Sequence, residues 1–389
     1  MTKKWSSRLT FFAFVVLMVG LGSNDSLRGI FSTIFQEHFS LTTTQLGLIV
    51  TASYIGNLVF LLVGGNLSTR FSKKRVLQVL ILIWMAALTL FAFTSNYTVL
   101  LIGMALALGS STLLNTTMNL ITPLLFATAP GFFVNFLFFT QEIGTSGSQY
   151  ILGSHADGFA FWQHTNLVLL ILGAVAFVLL LFCNVPEEAA DPADTPAQKG
   201  GYDWRIIVPY VLVFGFYFIA EHGVMNWMVA YGVDGLGLPQ ASAAKYLSVF
   251  FGGMMIGRLC LSPLVDKLGA LKSLAAFGGV SCVLYLVGSL GGAVTMPVWA
   301  ISGLSFSILY PTLVMSIRLY FPAQQVSGAA GTILSIASLA DILFNVGFGK
   351  LVDMAGYAVS IRVLPLSVLA FFIVFMLFTK FCKPTQKLK

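Results

Sequence analysis

Twelve long apolar blocks limit what this chain can fold into. Each block holds about 20 or more mostly apolar residues, enough for a helix to cross the ~30 Å hydrocarbon layer of a bilayer. A membrane-spanning backbone must satisfy its own hydrogen bonds, and the blocks lack strand-like alternation, so they predict an all-α membrane protein with 12 transmembrane helices. The blocks cover residues 9–31, 43–66, 75–94, 97–122, 130–153, 164–184, 205–231, 241–265, 270–290, 293–317, 325–350 and 359–380.

The charges fit the same interpretation. Only 9% of the 389 residues are charged and 57% are hydrophobic, whereas about a quarter of an average soluble protein is charged. With the N-terminus inside, 17 of the 21 basic residues fall on the cytoplasmic side, and Arg28, Lys245, Lys350 and Arg362 fall toward the outside. We therefore attribute the net charge of +7 to topology in a cell inner membrane, with both termini cytoplasmic, and expect a monomer in the lipid bilayer that binds no nucleic acid.

The first block is expected to remain in the protein as the first span. Lys3, Lys4 and Arg8 precede it, as in a signal peptide, but the block exceeds the 7–15 residues typical of a signal core and lacks an evident cleavage site. The four cysteines are far apart, so they indicate neither a metal site nor a disulfide framework.

An acidic segment rich in Pro, Ala and Gly divides the chain into two halves. Residues 185–204 predict a flexible cytoplasmic linker between an N-terminal half (1–184) and a C-terminal half (205–389) of six helices each. Six spans, a polar loop and six spans form the layout of transporters whose pseudo-symmetric halves are parallel repeats.

Two short loops also repeat between the halves, at residues 65–77 ("GNLSTRFSKKRVL") and 262–272 ("SPLVDKLGALK"). Both resemble the loop motif of the major facilitator superfamily, although Thr69 and Ser72 replace the usual aspartate and glycine in the first copy. Basic residues in any cytoplasmic loop would also satisfy topology alone. The residues that we associate with conformational control are Arg70, Arg258, Asp266 and Lys267.

Four acidic residues fall inside predicted spans, where an ionised group costs about 2.5–3.5 kcal/mol on insertion scales. They are Asp25, Glu142, Glu221 and Asp341, in spans 1, 5, 7 and 11. If the halves are repeats, the four acids form two pseudo-symmetric pairs, which a central cavity would explain.

Each acid also has a structural interpretation. Asp25 could pair with Arg28 at i,i+3, Glu221 could lie near water at a helix end beside His222, and Asp341 could cap a kink.

Uncharged polar and aromatic residues in the spans are typical of a solute site. Asn115 and Asn119 share a helix face at i,i+4, as do Trp227 and Tyr231. The amides could instead join helices, and the aromatic pair could belong to an outer interfacial belt. The predicted substrate-binding residues are Asn24, Asn115, Asn119, Asn135, Gln141, Glu142, Glu221, Asn226, Trp227, Tyr231 and Asn345.

Residues 24–54 are similar to the first span and the start of the second in the fucose permease-like sugar:proton symporters of the major facilitator superfamily. "FYFIAEHGVMNWMVAYG" (216–232), "FFGGMMIGR" (250–258) and "GLSFSILYPTL" (303–313) resemble its seventh, eighth and tenth spans. The resemblance implies the major facilitator fold, with two six-helix halves.

The resemblance also implies that Asp25, which follows an asparagine, is the protonatable residue. The family's second acid, in span 4, corresponds here to Asn115, which cannot titrate. Three schemes therefore remain: Asp25 acts alone near Arg28, Glu142 or Asp341 has taken over, or proton coupling is lost.

The leading hypothesis is a secondary active transporter of a small polar solute, such as a sugar, that works by proton-coupled alternating access. The alternatives are a uniporter, a receptor built on a transporter scaffold, and an exporter of amphipathic drugs or lipids, which the 35 phenylalanines and 13 methionines would suit. The sequence shows no Ser/His/Asp array, HExxH motif or phosphate-binding glycine loop, so we expect neither an enzyme nor a cofactor other than the proton as coupling ion.

Overall fold

The computed structural model describes residues 3–126, 130–186 and 202–384, and within these ranges it leaves the side chains of 3–4, 62–70, 130–132, 135, 266, 323–324 and 327 undescribed. The described part is helical and contains no strand. Contacts between residues divide the chain into two compact units, Met1–Asp191 and Pro192–Lys389. Most of the predicted linker, residues 187–201, lies outside the described ranges.

The described residues of the first unit form seven helices. They are α1 (Lys3–Ile30), α2 (Ser32–Phe39), α3 (Thr43–Arg70), α4 (Lys73–Phe93), α5 (Tyr97–Leu125), α6 (Pro130–Ile151) and α7 (Phe159–Leu181).

In the second unit, residues 202–384 form nine helices and three short segments of other helical type. The helices are α8 (Trp204–Ala230), α9 (Gln240–Leu268), α10 (Ala270–Leu290), α11 (Met296–Ile301), α12 (Gly303–Phe306), α13 (Leu309–Ser316), α14 (Ala323–Ala355), α15 (Tyr357–Ser360) and α16 (Val363–Phe381). A π-helical turn, Tyr231–Gly235, extends α8, and 3₁₀ turns lie at Gly292–Val294 and Ile317–Leu319.

Within the described ranges, eleven helical segments are long and apolar enough to cross a membrane. The remaining predicted span corresponds to α6, whose 22 residues reach about 33 Å. Asn135, Gln141 and Glu142 make this helix less apolar than its neighbours. The all-α membrane fold is therefore confirmed.

The structure corrects several predicted boundaries. Helix α14 continues to Ala355, where the sequence predicted an end at residue 350, because the whole "FGKLVDMA" stretch keeps a helical backbone until Gly356 turns with φ of +73°. The predicted outer loop after the first span is largely the short helix α2, which ends at Ser40 in the left-handed conformation.

The predicted tenth span is a chain of short helices, α11, α12 and α13. The serines of this span explain why it is divided into short helices. Ser302, Ser305 and Ser307 each donate a side-chain hydrogen bond to the backbone carbonyl three residues earlier. Such bonds compete with the regular helical ladder. The break lies where Gly303 packs directly on the backbone of Phe250 in α9.

Both repeated loops are shorter than predicted, because most of their residues are helical. The first consists of Phe71 and Ser72 between α3 and α4, and the Ser72 side chain accepts a hydrogen bond from the Arg75 backbone N–H at 3.4 Å. In the second, Gly269 alone separates α9 from α10, with φ of +80°. A serine can replace the family's glycine in the first copy because that position is an N-cap there and needs no positive φ.

The two units repeat one set of helix pairs. In the first, α1 packs on α6, α3 on α5 and α4 on α7; in the second, α8 packs on α14, α9 on α12 and α10 on α16. These pairs join spans 1 and 5, 2 and 4, and 3 and 6 of each half in the same order. The packing therefore has the repeated pattern that pseudo-symmetric halves require.

Candidate functional site

The α1–α6 crossing brings the first group of predicted site residues together. A Cβ atom at Gly22 would overlap with the carbonyl oxygen of Gln141, and one at Gly144 would overlap with that of Val19. Thr145 donates across the crossing to the Gly22 carbonyl at 3.2 Å. Because the backbones touch here, Asn24 and Asp25 lie within about one helical turn of the contact with α6.

Asn24, Asp25 and Arg28 lie near the end of α1, and Asn24 and Arg28 are buried. The Arg28 guanidinium carbon lies 5.7 Å from the centre of the Tyr54 ring on α3, within range of a cation–π interaction. Tyr54 is a partner that sequence reasoning did not identify. The Asp25–Arg28 pair remains a prediction.

A chain of amides connects α5 to α6. Asn119 donates to the Oδ1 of Asn115 at 2.6 Å, and Asn115 donates to the Oε1 of Gln141 at 2.7 Å. Asn119 and Asn115 therefore face the same way, as their spacing predicted. The chain favours the helix-joining interpretation of Asn115, but Gln141 and both asparagines remain partly exposed and so can also reach a solute.

Glu142 follows Gln141 on α6 and is also partly exposed. Asn135 lies on the same helix, but its side chain lies outside the described residues. The acid Asp25 and the amides Asn115 and Gln141 thus belong to the first unit and are carried by three helices that pack on one another, α1, α5 and α6. Such a group can hydrogen-bond a polyol and hold one proton.

In the second unit, Asp341 contacts His222, which the sequence analysis named only as the neighbour of Glu221. The Oδ2 of Asp341 on α14 forms a short contact with the Nδ1 of His222 on α8. Asp341 is 2% exposed and lies 18 residues after the start of its helix, which runs unbroken from Ala323 to Ala355. It joins two helices inside the unit.

A second link between the same helices lies one turn further along. The Trp227 indole N–H donates to the Oδ1 of Asn345 at 2.9 Å, and the Asn345 amide donates to the backbone carbonyl of Asp341 at 2.8 Å. Trp227, Asn345 and Asp341 thus form one continuous chain of contacts.

The burial of Trp227 and Tyr231 excludes the interfacial belt. Trp227 is 0% exposed and packs on Phe348 with the ring centres 4.9 Å apart, and Tyr231 is 4% exposed, with Trp299 at 6.1 Å. The same burial leaves Trp227 no open ring face for stacking on a solute. Asn226, next to it, is 2% exposed.

Glu221 is partly exposed and lies nine residues before the end of α8, beside a cluster of tyrosines. Its carboxylate interacts electrostatically with the hydroxyls of Tyr217, Tyr285 and Tyr310, and Arg258 acts on those of Tyr217 and Tyr310. Arg258 lies inside α9, ten residues before the end of the helix. Its side chain therefore contributes to the interior of the unit, although the sequence motif grouped it with loop residues.

The other residues of the loop motif lie near helix ends. Lys267 is exposed in the last turn of α9. Arg70 ends α3 and Asp266 precedes Lys267, but both of their side chains lie outside the described residues. Their role in conformational control remains a prediction.

Sequence reasoning did not assign His222, Tyr54 or the tyrosines around Glu221 to the site. One signal was available, since His222 follows Glu221 on span 7, the repeat partner of span 1. Two adjacent ionisable residues inside an apolar block cost free energy to place in the membrane. The repeat could have predicted that span 7, which carries them, packs on span 11, but the contact between side chains depends on how the helices are rotated.

The Major Facilitator Superfamily model matches residues 10–340. The chain is 23% identical to the L-fucose-proton symporter of Escherichia coli K12 over 74% of this chain and 75% of the relative. It is 26% identical to a glucose/galactose transporter of Brucella abortus, covering 82% and 81% of the two chains. It is also 23% identical to a cis,cis-muconate transport protein of Acinetobacter baylyi, covering 71% and 70%.

A solved structure has a similar fold. The D-xylose-proton symporter superposes with a TM-score of 0.78 at 16% identity, over 99% of each chain. At that identity the likeness concerns the fold.

Proposed function

Because the chain belongs to the Major Facilitator Superfamily, whose members are membrane transporters and not enzymes, we propose that it carries a sugar across the inner membrane by proton-coupled alternating access. In this scheme both termini are cytoplasmic, the working unit is a monomer, and the solute site opens to one side of the membrane at a time.

The amide chain Asn119–Asn115–Gln141 is the observation that carries the sugar assignment. Amides both donate and accept hydrogen bonds, which matches sugar hydroxyls. These partly exposed amides lie on α5 and α6, next to α1 with Asp25. Two relatives named above transport fucose and glucose or galactose, which supports the same substrate class.

Asp25 is the proposed coupling residue, with Arg28, Glu142 and Asp341 as further members of the proton pathway. Protonation neutralises Asp25 and weakens its attraction to Arg28, whose guanidinium also has the Tyr54 ring as a partner. A proton can shift the equilibrium between two conformations only by binding one of them more tightly. The surroundings of the Asp25 carboxylate must therefore differ between the outward-open and inward-open states, so that one state binds the proton more tightly.

Proteoliposomes test this proposal directly. With an inward proton gradient, we expect accumulation of L-fucose, D-galactose or D-glucose, which collapses with a protonophore. Asp25→Asn should keep sugar exchange and lose accumulation. Asp157→Asn, which changes an exposed acid between α6 and α7, is the matched control and should behave as the wild type.

Two outcomes would contradict the proposal. Accumulation by folded Asp25→Asn equal to that of the wild type would remove Asp25 from coupling. Displacement of bound ligand by hydrophobic dyes, with no effect of monosaccharides, would favour the exporter. Cis,cis-muconate belongs in the panel because one relative is a muconate transport protein.

A further inference from the structure

The contact between His222 on α8 and Asp341 on α14 joins two ionisable groups of different exposure. The side chain of Asp341 is 3% exposed and that of His222 is 24% exposed. In the part of the chain that the structure describes, His222 is the only basic side chain within ion-pair distance of Asp341. The pair therefore has a buried end and an end that water can approach.

We propose that His222 and Asp341 form a proton-binding dyad in the C-terminal unit, which exchanges its proton through the Nε2 atom of His222. The proposal deepens the proposed function, since it supplies a second titratable site where Asn115 leaves none in span 4.

Charge balance explains why the dyad holds a proton. When both imidazole nitrogens are protonated, the pair is neutral overall. Removal of one proton leaves a net negative charge on groups that are largely shielded from water, which is unfavourable. Because Nδ1 is used in the contact with Asp341, its proton stays on that hydrogen bond, and the proton that the dyad gives up is the one on Nε2.

The surroundings hold both groups in place. The Phe218 ring lies parallel to the imidazole, with an angle of 6° between the planes and 5.4 Å between the ring centres. Asn345 donates to the Asp341 carbonyl, and Trp227 holds Asn345. Exchange of the proton therefore changes the strength of a fixed α8–α14 contact.

Other charged groups near the dyad lie mostly in the tyrosine cluster. Phe218 separates His222 from Tyr310, with 6.1 Å between the Phe218 and Tyr310 ring centres. Glu221, which precedes His222 in the chain, and Arg258 act on the same tyrosine hydroxyls with opposite signs. The remaining titratable or charged side chains on α8, on α14 and on the described elements that pack on them are Arg205, Tyr210, Lys245, Tyr246, Cys260, Lys267, Tyr231, Asp234, Arg318, Lys350, Asp353, Tyr357 and Lys380.

A fluorescence titration of the purified protein tests the dyad without any solute. Trp227 reports on it because its indole is linked through Asn345 to Asp341. We expect one reversible transition between about pH 5 and pH 8, where histidines usually titrate. His222→Gln, which keeps a side-chain donor without titrating, should lose the transition, and so should Asp341→Asn.

Three further variants make the result specific. Trp227→Phe should remove the optical signal, which identifies the reporter among the six tryptophans. His164→Gln, an exposed histidine on α7, and Asp25→Asn should both keep the transition. Size-exclusion chromatography shows which variants are folded. If Asp341→Asn does not fold, His222→Gln provides the test of the dyad.

A wild-type protein without a transition, or a folded His222→Gln protein with an unchanged midpoint, would overturn the dyad. Loss of the transition in Asp25→Asn would also overturn it. In proteoliposomes, His222→Gln should lower gradient-driven sugar accumulation at least tenfold and leave exchange intact. A titrating dyad in a protein that transports no sugar would refute the proposed function and not the dyad.

Discussion

Asn115 on α5 donates a 2.7 Å hydrogen bond to Gln141 on α6 and accepts one from Asn119. Asn115 stands where the resemblance to the fucose permease-like symporters places an acid. The position is thus occupied by an amide that joins two helices. An amide there donates and accepts at all pH values, which a carboxylate cannot do.

The first prediction concerns this amide. Asn115→Asp should fold normally, because Gln141 can rotate its amide and donate to the new carboxylate while Asn119 still donates. Asn115→Leu should lower the free energy of unfolding by about 1–3 kcal/mol, since it leaves Gln141 and Asn119 without their partner. Thermal unfolding in detergent measures both, and equal destabilisation by the two substitutions would contradict the hydrogen-bond chain.

The α1–α6 crossing leads to the second prediction. Gly144→Ala should destabilise the protein by about 1–3 kcal/mol or more, because the added methyl group would overlap with the Val19 carbonyl of α1. Gly147→Ala is the matched control on the same helix, as its Cβ would meet nothing within 4 Å. Because alanine favours a helix more than glycine does at both positions, an equally lowered melting temperature in the two variants would contradict the crossing as the cause.

The third prediction concerns Trp227 and Asn345. Trp227→Phe leaves the buried Asn345 Oδ1 without its donor and should cost about 1–3 kcal/mol, as should Asn345→Leu, which leaves the indole N–H without an acceptor. The double variant should be less destabilised than the sum of the two. Strict additivity in this double-mutant cycle would show that the two side chains are not energetically coupled.

Gly269 provides the fourth prediction. Gly269→Ala should cost about 1–3 kcal/mol, because a residue with a Cβ rarely adopts φ of +80°. Ser72→Gly, at the matching position of the first unit, should cost only a few tenths, since glycine is a tolerable N-cap. A Gly269→Ala protein as stable as the wild type would argue against the one-residue connection between α9 and α10.

The fifth prediction tests the contact between Arg28 and Tyr54. Tyr54→Leu removes the ring from beside the guanidinium and should destabilise the protein by about 2 kcal/mol, whereas Tyr54→Phe keeps a ring face and should cost less than 1 kcal/mol. Chemical or thermal unfolding of the two variants provides the comparison. Equal losses would assign the effect to the hydroxyl.

The sequence by itself determined the class of the fold, the number of spans and the membership of a transporter family. Long apolar blocks have one stable form in a bilayer, so α8 and α10 begin and end within one residue of their predicted bounds. Spacing along one helix was also readable, as Asn115 and Asn119 show. Boundaries failed where side chains compete with the backbone, as in the serine-rich tenth span.

Only the tertiary structure decided which side chains meet across helices. The sequence listed Asp341, His222, Trp227 and Tyr231, but it could not assign His222 to Asp341 or bury Trp227 against Phe348. Those contacts depend on the rotation and depth of each helix against its neighbour, which are set where glycines such as Gly22 and Gly303 let backbones touch. An apolar block specifies that a helix crosses the membrane, whereas the shape of its packed surface specifies which face turns inward.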